Sequence, residues 1–376
     1  MKIAIILPSI SRLGGGVSEV VYNLTKSLCD RGIEIIIFAA QDQYSNSDQG
    51  RWSHVSLHIT KQFGPKSFSY QYGLFKKIYR AEFDLIHVHG VWEYGVLISR
   101  IVAWLKKKPY VISPHGMLDS WALAKGKIKK KFIISLYLKY IISSASCVHA
   151  LTSNEAKSID GIIRTNKIKV IPNGVLLEKV NFELERSFSE KNKRILFLSR
   201  IDSKKSVYEL IVGFESFLNE IKTDWILDIV GWGDQNYVDL IKTKLSSSNH
   251  KDSIIYHGPV YGRDKLKFFA DATVFILPSK SEGLPMAILE AWSFGLPVIM
   301  SSECNLPFTL DDETVALKCG TDSLSICKSL LEFSSMNENI LCNLSRSSSR
   351  MASLYGWDSI ICFYLDMYVS LSKRVQ

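Results

Sequence analysis

Short runs of consecutive apolar residues recur along the chain, and most are followed by a polar or glycine-rich segment. Such runs are typical of strands that are buried on both faces of a parallel sheet. Between them, apolar residues recur every three or four positions, as at Val21 and Leu24, which predicts helices. Residues 3–7, 18–29 and 33–39 therefore predict a first βαβ unit with a glycine-rich turn before its helix.

The same alternation predicts two series of strands, separated by a charged segment without regular periodicity at residues 176–192. We expect the interdomain linker there, because domain boundaries fall in polar segments. A chain of 376 residues suffices for two cores, and we predict domains at residues 1–178 and 193–356. The predicted strands are residues 3–7, 33–39, 52–59, 84–90, 109–113, 146–151 and 167–171, then 194–198, 225–230, 254–260, 272–277, 296–300 and 315–318. Residues 70–79 predict a helix.

Composition narrows the classes of partner. The formal net charge of +9 favours anionic partners, namely nucleotide phosphates, nucleic acid or an acidic membrane surface. No basic run is interleaved with aromatic residues, as a nucleic-acid groove requires, so we expect no nucleic-acid partner.

Other features of the composition bear on the compartment. The seven cysteines form no Cys-x-x-Cys pair, which argues against zinc and disulfides and for a reducing compartment. No apolar run reaches the roughly 20 residues that span a bilayer, and the first apolar run is too short for a signal peptide. We therefore predict a cytoplasmic protein.

Two carboxylates stand out in the second half. Glu282 lies in a loop after the predicted strand 272–277, and Glu290 lies on the helix that follows. Pro285 fits the first position of that helix, and the amides of Gly283 and Leu284 lie at its N-terminus, which suits a phosphate or a hydroxyl. In the simpler interpretation, Glu282 is a cap-like residue and Glu290 a surface charge.

Cations and glycines follow two other strands of this half. Arg200 and Lys205 come directly after residues 194–198, where a guanidinium fork and an ammonium could bind a diphosphate. They could equally be two solvated cations. Gly231 and Gly233 follow the predicted strand 225–230.

In the first half, Gly14, Gly15 and Gly16 follow the first strand. They match a dinucleotide-binding fingerprint only in part, because Glu19 stands where its third glycine belongs. Asp42, after the second strand, would then be the ribose acceptor of a bound NAD or FAD. A tight turn without a ligand is the alternative.

Histidines mark two other strand ends of this half. His87 and His89 share one face of the strand 84–90, but no third metal ligand is identifiable. His115 follows the strand 109–113 immediately before Gly116, where a parallel sheet opens towards a ligand. A lone histidine is more often structural.

The segment Glu282-Gly283-Leu284-Pro285, with a second glutamate at position 290 and Gly-Leu-Pro-Val-Ile at 295–299, resembles the signature of retaining family-4 glycosyltransferases of the GT-B fold. Arg200 and Lys205 match the spacing of that family's Gly-Arg…Lys-Gly motif, although serines replace both glycines. Residues 114–119 resemble the acceptor-side loop of a bacterial subgroup that makes polysaccharide and O-antigen. The resemblance implies an α/β fold of two Rossmann-like, doubly wound domains facing a central cleft, with a terminal helix at 357–373 that returns to the first domain.

The resemblance also implies an activity: transfer of a sugar, with retention, from a UDP- or GDP-sugar to a lipid-linked or polysaccharide acceptor. It implies that Glu282 lies near the donor sugar, which it would orient or attack as a nucleophile, and that His115 reaches the sugar or the reacting centre. The expected donor-binding residues are Gly15, Gly16, Arg200, Lys205, Gly231, Gly283, Leu284 and Glu290, with Glu290 on the ribose. No Asp-x-Asp is present, so we expect no metal cofactor.

The basic stretch Lys125 to Lys139 runs into an apolar segment, which suits an anionic membrane surface or, alternatively, a solvated patch before a core helix. Competing functions are a GT-B phosphorylase, a sugar-nucleotide epimerase, a Rossmann oxidoreductase and a sugar-nucleotide-binding module without catalysis.

Overall fold

The computed structural model describes residues 1–65, 68–119, 138–177, 193–306 and 315–373. The chain divides into two compact units, Met1–Gly174 together with Trp357–Gln376, and Val175–Gly356. Most of the predicted linker, residues 178–192, lies outside the described residues, and so does most of the basic stretch Lys125 to Lys139.

The first domain is built on a seven-stranded parallel sheet whose central strands are apolar and buried. Its strands are β1 (Lys2–Leu7), β2 (Glu34–Ala40), β3 (Ser56–Thr60), β6 (Leu85–His89), β7 (Tyr110–Ser113), β8 (Cys147–Ala150) and β9 (Ile168–Val170), and β4 (Gln62–Phe63) pairs antiparallel with β5 (Tyr70–Gln71). The order across the sheet is β3-β2-β1-β6-β7-β8-β9. Ile3 is paired with Ile35 of β2 on one side and with Leu85 of β6 on the other, so the strand order reverses beside β1.

The helices of this domain cover an apolar sheet. They are α1 (Gly15–Cys29), α2 (Ser45–Asp48), α3 (Leu74–Arg80), α4 (Tyr94–Leu105), α5 (Lys139–Ser143) and α6 (Ser153–Ile163). One core cluster joins alternate residues of the strands, such as Ile86 and Val88, to Val102 of α4 and Ile159 of α6. Thr152 caps α6, because its hydroxyl accepts a hydrogen bond from the amide of Glu155.

The second domain repeats this plan with six parallel strands. They are β10 (Arg194–Leu198), β11 (Ile226–Val230), β12 (Ile254–Gly258), β13 (Val274–Leu277), β14 (Val298–Ser301) and β15 (Leu317–Cys319), in the order β12-β11-β10-β13-β14-β15. The helices are α7 (Val207–Ile221), α8 (Gln235–Ser246), α9 (Gly262–Asp271), α10 (Met286–Ser293), α11 (Ser323–Ser334) and α12 (Glu338–Leu354). The strand order reverses between β10 and β13, which is where ligands bind in open α/β sheets.

The final helix, α13 (Trp357–Lys373), belongs to the first domain. It contacts α1 and β6, and it buries Trp357, Tyr364 and Tyr368 there. The predicted return of the terminal helix is confirmed. Within the described residues, no helix combines the length and the apolar character that a bilayer span needs.

Some predicted elements are wrong. Residues 52–59 are not one strand: Trp52 ends a short 3₁₀ helix, Gln49–Trp52, and is buried with its indole N–H donating to the carbonyl of Ile10 at 3.0 Å. The helix predicted at 70–79 begins only at Leu74, because Gly73 adopts φ +79°. Helices α4 and α8 had no counterpart among the predicted elements.

Candidate active site

In the second domain, two predicted site loops leave adjacent strands at the reversal of strand order. Arg200 and Lys205 follow β10, and Glu282 follows β13. Because the strands are parallel neighbours, their carboxyl ends bring these loops to the same edge of the sheet.

The two loops are joined by backbone and side-chain contacts. The amide of Lys280 donates to the carbonyl of Lys204 at 2.7 Å, and the ammonium of Lys205 contacts the carboxylate of Glu282. A third loop supports Glu282, since its amide donates to the carbonyl of Glu303 at 3.0 Å and its carbonyl accepts from the Asn305 side chain at 2.6 Å. Lys205 therefore holds the carboxylate of Glu282, and the third loop holds its backbone.

Ser206 replaces a glycine of the family motif and still makes the turn that a glycine would make. It adopts φ +51° and ψ +38°, the left-handed region, immediately before α7. The residue is fully buried, and its hydroxyl has no hydrogen-bond partner among the described residues. The loop thus keeps its shape at the cost of backbone strain.

Gly231 and Gly233 are required by close backbone approach. A Cβ at Gly231 would lie 1.8 Å from the carbonyl oxygen of Ser199, and one at Gly233 would lie 1.9 Å from that of Ile201. The amide of Ile201 donates to the carbonyl of Trp232 at 2.8 Å. This packing holds the exposed Arg200, whose guanidinium lies 5.6 Å from the centre of the Trp232 ring.

Helix α10 begins one residue later than predicted. Pro285 is its N-cap, not its first helical residue. Leu284 is nearly buried and Gly283 partly exposed just before the cap. Amides in the first turn of a helix have no acceptor within the helix, so those of Met286 and Ala287 can bind an anion near Glu282.

Glu290 is partly buried on α10 and paired with a lysine that the sequence pattern did not indicate. Its carboxylate lies 2.6 Å from the ammonium of Lys265 on α9, and both side chains are about one-quarter exposed, at 24% and 25%. Glu290 is therefore not a solvated surface charge, and its carboxylate has a fixed direction.

In the first domain, Gly15 and Gly16 belong to the first turn of α1 and not to the preceding loop. Gly15 adopts φ +55°, and a Cβ at either residue would meet nothing within 4 Å. The carboxylate of Asp42 is already hydrogen-bonded within the domain. It accepts hydrogen bonds from the hydroxyls of Ser9 and Ser11 and from the amide of Tyr44. It braces the loop after β1, which leaves the nicotinamide interpretation without its ribose acceptor.

Four histidines meet under the carboxyl ends of the central strands of this sheet. His87 and His89 come from β6, His149 comes from β8, and His115 follows β7. The rings of His87 and His89 lie 4.1 Å apart, which confirms that they share a face.

One hydrogen-bonded chain through these rings has a single consistent direction. His149 Nε2 must donate to the carbonyl of Ile171 at 2.7 Å, so its Nδ1 accepts from Ser113 at 2.6 Å. Ser113 in turn accepts from His87 Nε2 at 2.7 Å, and His87 Nδ1 accepts from Tyr368 of α13 at 2.8 Å. A neutral imidazole has one donor and one acceptor, which fixes both tautomers.

His115 lies beside this chain in a strained backbone conformation, with φ +53°. Its Nε2 lies 2.8 Å from Nδ1 of His89. The next amide, that of Gly116, donates to Glu155 at 2.5 Å, and Glu155 also accepts from the amide of Leu151 at 2.7 Å. A histidine ring and a buried carboxylate thus hold the turn that carries His115.

Burial controls ionisation here. It lowers the pKa of His115 to about 3 and that of His149 to about 4, and it holds the pKa values of His87 and His89 well below their usual range. Burial also raises the pKa of Glu155 to about 7, against the effect of its two amide donors. All four imidazoles are therefore neutral at pH 7.

The structure brings together some predicted residues and adds others. Lys205 contacts Glu282, and Arg200 lies on the loop that packs against Gly231. The sequence pattern did not indicate the contacts of Lys265, His149 and Glu155, since nothing in their local pattern distinguishes them from ordinary helix or strand residues. In the described part of the chain, no three His, Cys, Asp or Glu side chains converge as metal ligands do.

Comparison with known families adds independent evidence. Residues 14–179 match the family described as Glycosyltransferase Family 4, and residues 179–331 match Glycosyl transferases group 1. The chain is 26% identical over 322 residues to an uncharacterized 41.2 kDa protein in the cps region of Klebsiella pneumoniae, covering 79% of this chain and 81% of that protein. It is 30% identical over 246 residues to the UDP-Gal:alpha-D-GlcNAc-diphosphoundecaprenol alpha-1,3-galactosyltransferase of Escherichia coli, covering 61% of this chain and 60% of that enzyme.

Solved structures share the fold. Anabaena HepE, in a crystal structure with UDP and glucose, superimposes with a TM-score of 0.78 over 98% of this chain and 100% of that one, at 16% identity. At that identity the likeness concerns the fold.

Proposed function

The chain belongs to family 4 of the glycosyltransferases and has the GT-B fold, and from this we propose that it transfers a sugar from a nucleotide-diphosphate donor to a lipid-linked or polysaccharide acceptor. The transfer retains the anomeric configuration and serves the synthesis of a cell-surface glycan. One observation carries the proposal: the loops that bear Arg200, Lys205 and Glu282 are joined at the reversal of strand order in the second domain.

The diphosphate is the part of the donor that these residues fit best. Arg200 is exposed and free to turn its guanidinium fork to phosphate oxygens. Lys205 contacts Glu282 and would share its ammonium with the leaving phosphate, and the first-turn amides of α10 add partial positive charge. Together they can stabilise the charge that develops on the departing nucleoside diphosphate.

The nucleotide end of the donor fits Glu290. Its carboxylate has a fixed direction because of Lys265, and carboxylate oxygens accept hydrogen bonds from the two ribose hydroxyls. The name of the E. coli relative gives UDP-Gal as its donor, and HepE was crystallised with UDP and glucose, which supports testing UDP-sugars before GDP-sugars.

Lipid-linked acceptors are supported by the E. coli relative, whose acceptor is a diphosphoundecaprenol-linked sugar, and the Klebsiella relative lies in a cps region. We therefore expect a cytoplasmic enzyme that works at the inner face of a membrane. The basic stretch Lys125 to Lys139 would face the anionic surface.

In the reaction, the bond between the sugar C1 and the phosphate oxygen breaks as the acceptor oxygen bonds to C1. The acceptor proton passes to the leaving phosphate, and the products are the glycoside and the nucleoside diphosphate. Glu282 orients the sugar hydroxyls, and for His115 the family resemblance implies a contact with the sugar or the reacting centre. Because Glu282 is held by Lys205 and by the loop 303–305, we favour an orienting role over a covalent intermediate. Side-chain cations take the place of a metal ion.

The test is a donor screen with the purified full chain, membrane extract as the source of acceptor, and nucleotide release as the readout. Mass analysis then identifies the sugar that has been transferred. We expect release from one or a few donors, dependent on extract and unaffected by EDTA. Release that requires inorganic phosphate would indicate a phosphorylase, an epimerised donor without extract would indicate an epimerase, and donor binding without turnover would indicate a binding module.

A further inference from the structure

The contact between His89 and His115 joins two neutral imidazoles. The distance from His89 Nδ1 to His115 Nε2 is 2.8 Å, and burial holds both pKa values far below 7. A hydrogen bond between two neutral rings needs one protonated and one unprotonated nitrogen. Either His89 donates to His115, or His115 donates to His89.

The two arrangements differ at the other nitrogen of His89. If His115 donates, His89 carries its proton on Nε2; if His89 donates, Nε2 is unprotonated. His89 is 2% exposed, and its Nε2 is buried with no hydrogen-bond partner among the described residues. The neighbouring His87 cannot accept a hydrogen bond from this nitrogen, because both of its own nitrogens are hydrogen-bonded, to Tyr368 and to Ser113.

A buried N–H without an acceptor is rarer in folded proteins than a buried acceptor without a donor. The arrangement with the proton on His89 Nδ1 avoids that orphaned donor. His89 then donates to His115 Nε2, and the only proton on the His115 ring is on Nδ1. That nitrogen is the one not engaged by His89, on a residue that keeps some solvent exposure.

We propose that His89 is a positioning residue that holds His115 as the neutral Nδ1–H tautomer, so that His115 offers the substrate a hydrogen-bond donor and not a general base. The tautomer follows from the histidine contacts alone, whereas its catalytic consequence rests on the proposed glycosyltransfer. Such a donor can bind a sugar hydroxyl or a phosphate oxygen. Because His115 does not take up the proton of the acceptor hydroxyl, that proton passes to the departing phosphate.

The backbone gives the same residue a second restraint. His115 adopts a left-handed conformation, which is unfavourable for a non-glycine residue. Glu155 holds the following amide, so the ring cannot leave His89 by a local flip of the turn. Both restraints come from regular elements of the sheet and its helices, which makes the donor direction rigid.

The direct test is long-range ¹H–¹⁵N correlation spectroscopy of the histidine-labelled full chain at pH 7.5, with the His115 signals assigned by their loss in His115→Ala. We expect the pattern of an Nδ1–H ring. His89→Asn, whose amide nitrogen can stand where Nδ1 stood, should keep that pattern, whereas His89→Leu should change it to the Nε2–H form. An Nε2–H ring in the wild type, or an Nδ1–H ring in His89→Leu, would overturn the proposal.

Steady-state kinetics then distinguish a positioning role of His89 from a purely structural one. With the donor found in the screen, His89→Leu should lower kcat about tenfold or more while the donor KM changes less than twofold, and His89→Asn should restore most of kcat. Equal losses in both variants would contradict the positioning role. Should His89→Leu fail to fold, the wild-type spectrum still decides the tautomer. Should no sugar be transferred at all, the spectra still stand, and only the proposed function fails.

Discussion

The ammonium of Lys205 and the carboxylate of Glu282 form an ion pair that is largely removed from water. Their side chains are 14% and 9% exposed, and they come from loops that follow the adjacent strands β10 and β13. The pair thus joins the two halves of the strand reversal. If either residue were removed, the remaining charge would be buried without a partner and would destabilise the fold.

Lys205→Ala should therefore lower both stability and activity. It leaves the Glu282 carboxylate buried without its partner, and we expect the free energy of unfolding in urea to fall by about 3 kcal/mol. Lys193→Ala is the control, because that lysine pairs with Asp224 at the surface and should cost at most about 1 kcal/mol.

The double variant Lys205→Met/Glu282→Gln separates the two effects. Removing both charges should return stability to within about 1 kcal/mol of the wild type, while sugar transfer remains lost. If transfer recovered with stability, the pair would be structural only, and its assignment to the diphosphate and the sugar would be wrong.

Glu290→Gln should raise the donor KM about tenfold with little change in kcat. A charge-assisted hydrogen bond to the ribose is worth about 1.5 kcal/mol or more, and that contact forms before and persists through the reaction. Lys265→Met should shift KM in the same direction by a smaller factor, since it only loosens the carboxylate. Initial rates at varied donor concentration measure both, with the exposed Glu332→Gln as control. An unchanged KM in Glu290→Gln would count against ribose contact.

Gly231→Ala should damage the Arg200 loop. A methyl group 1.8 Å from the Ser199 carbonyl oxygen forces the two backbones apart, which we expect to cost about 2 kcal/mol of stability and to weaken donor binding. Gly161→Ala, in the last turn of α6 with nothing within 4 Å, should be neutral or stabilising by up to about 1 kcal/mol. Equal thermal midpoints for both variants would argue against the close approach.

Ser206→Gly should stabilise the protein. It relieves a left-handed serine and removes a buried hydroxyl without a partner. The gain, after the extra freedom of glycine in the unfolded chain, is about 1 kcal/mol. Ser206→Ala removes the hydroxyl but keeps the strain, so its urea midpoint should lie below that of the glycine variant. The reverse order would show that the loop is unstrained.

Glu155 should make the free energy of unfolding decrease as pH rises, which is opposite to the effect of a carboxyl group with a lowered pKa. Its folded pKa of about 7 lies above the ordinary value of 4.5, so the folded state binds the proton more tightly. Its stabilising contribution is complete below pH 4.5 and is lost as pH rises to about 7, a change of about 3 kcal/mol. The neutral histidines act in the opposite direction, so the quantity to measure is the difference in unfolding free energy between the wild type and Glu155→Gln. That difference should decrease from pH 4.5 to 7, and a constant difference would contradict the raised pKa.

The strands were predictable because parallel sheets demand continuous apolar runs, which is why β1 and β10 stand within a residue of their expected bounds. The family resemblance assigned Lys205 and Glu282 to the same donor, and the structure shows that they lie on loops after adjacent strands and contact each other. Chain order could not reveal partners that meet only through tertiary packing. Lys265 lies 25 residues before Glu290, and nothing in the sequence around it predicts that the two side chains form an ion pair.

The histidines show the same limit. Strand alternation put His87 and His89 on one face, but the protonation of His87 depends on Ser113, Tyr368 and the carbonyl of residue 171, which come from three separate parts of the chain. Likewise, nothing in the sequence around Glu155 predicts that its carboxylate accepts a hydrogen bond from the amide of Gly116.

Helix α13 has a consequence for biosynthesis. Tyr368 supplies the first donor of the histidine chain in β6, although 281 positions separate it from His87. A ribosome therefore makes the whole second domain before it makes the residues that complete the first. The first domain therefore cannot complete its fold until the last helix has been synthesised. A truncation near the carboxyl terminus would destabilise the amino-terminal domain, which is the part of the chain made first.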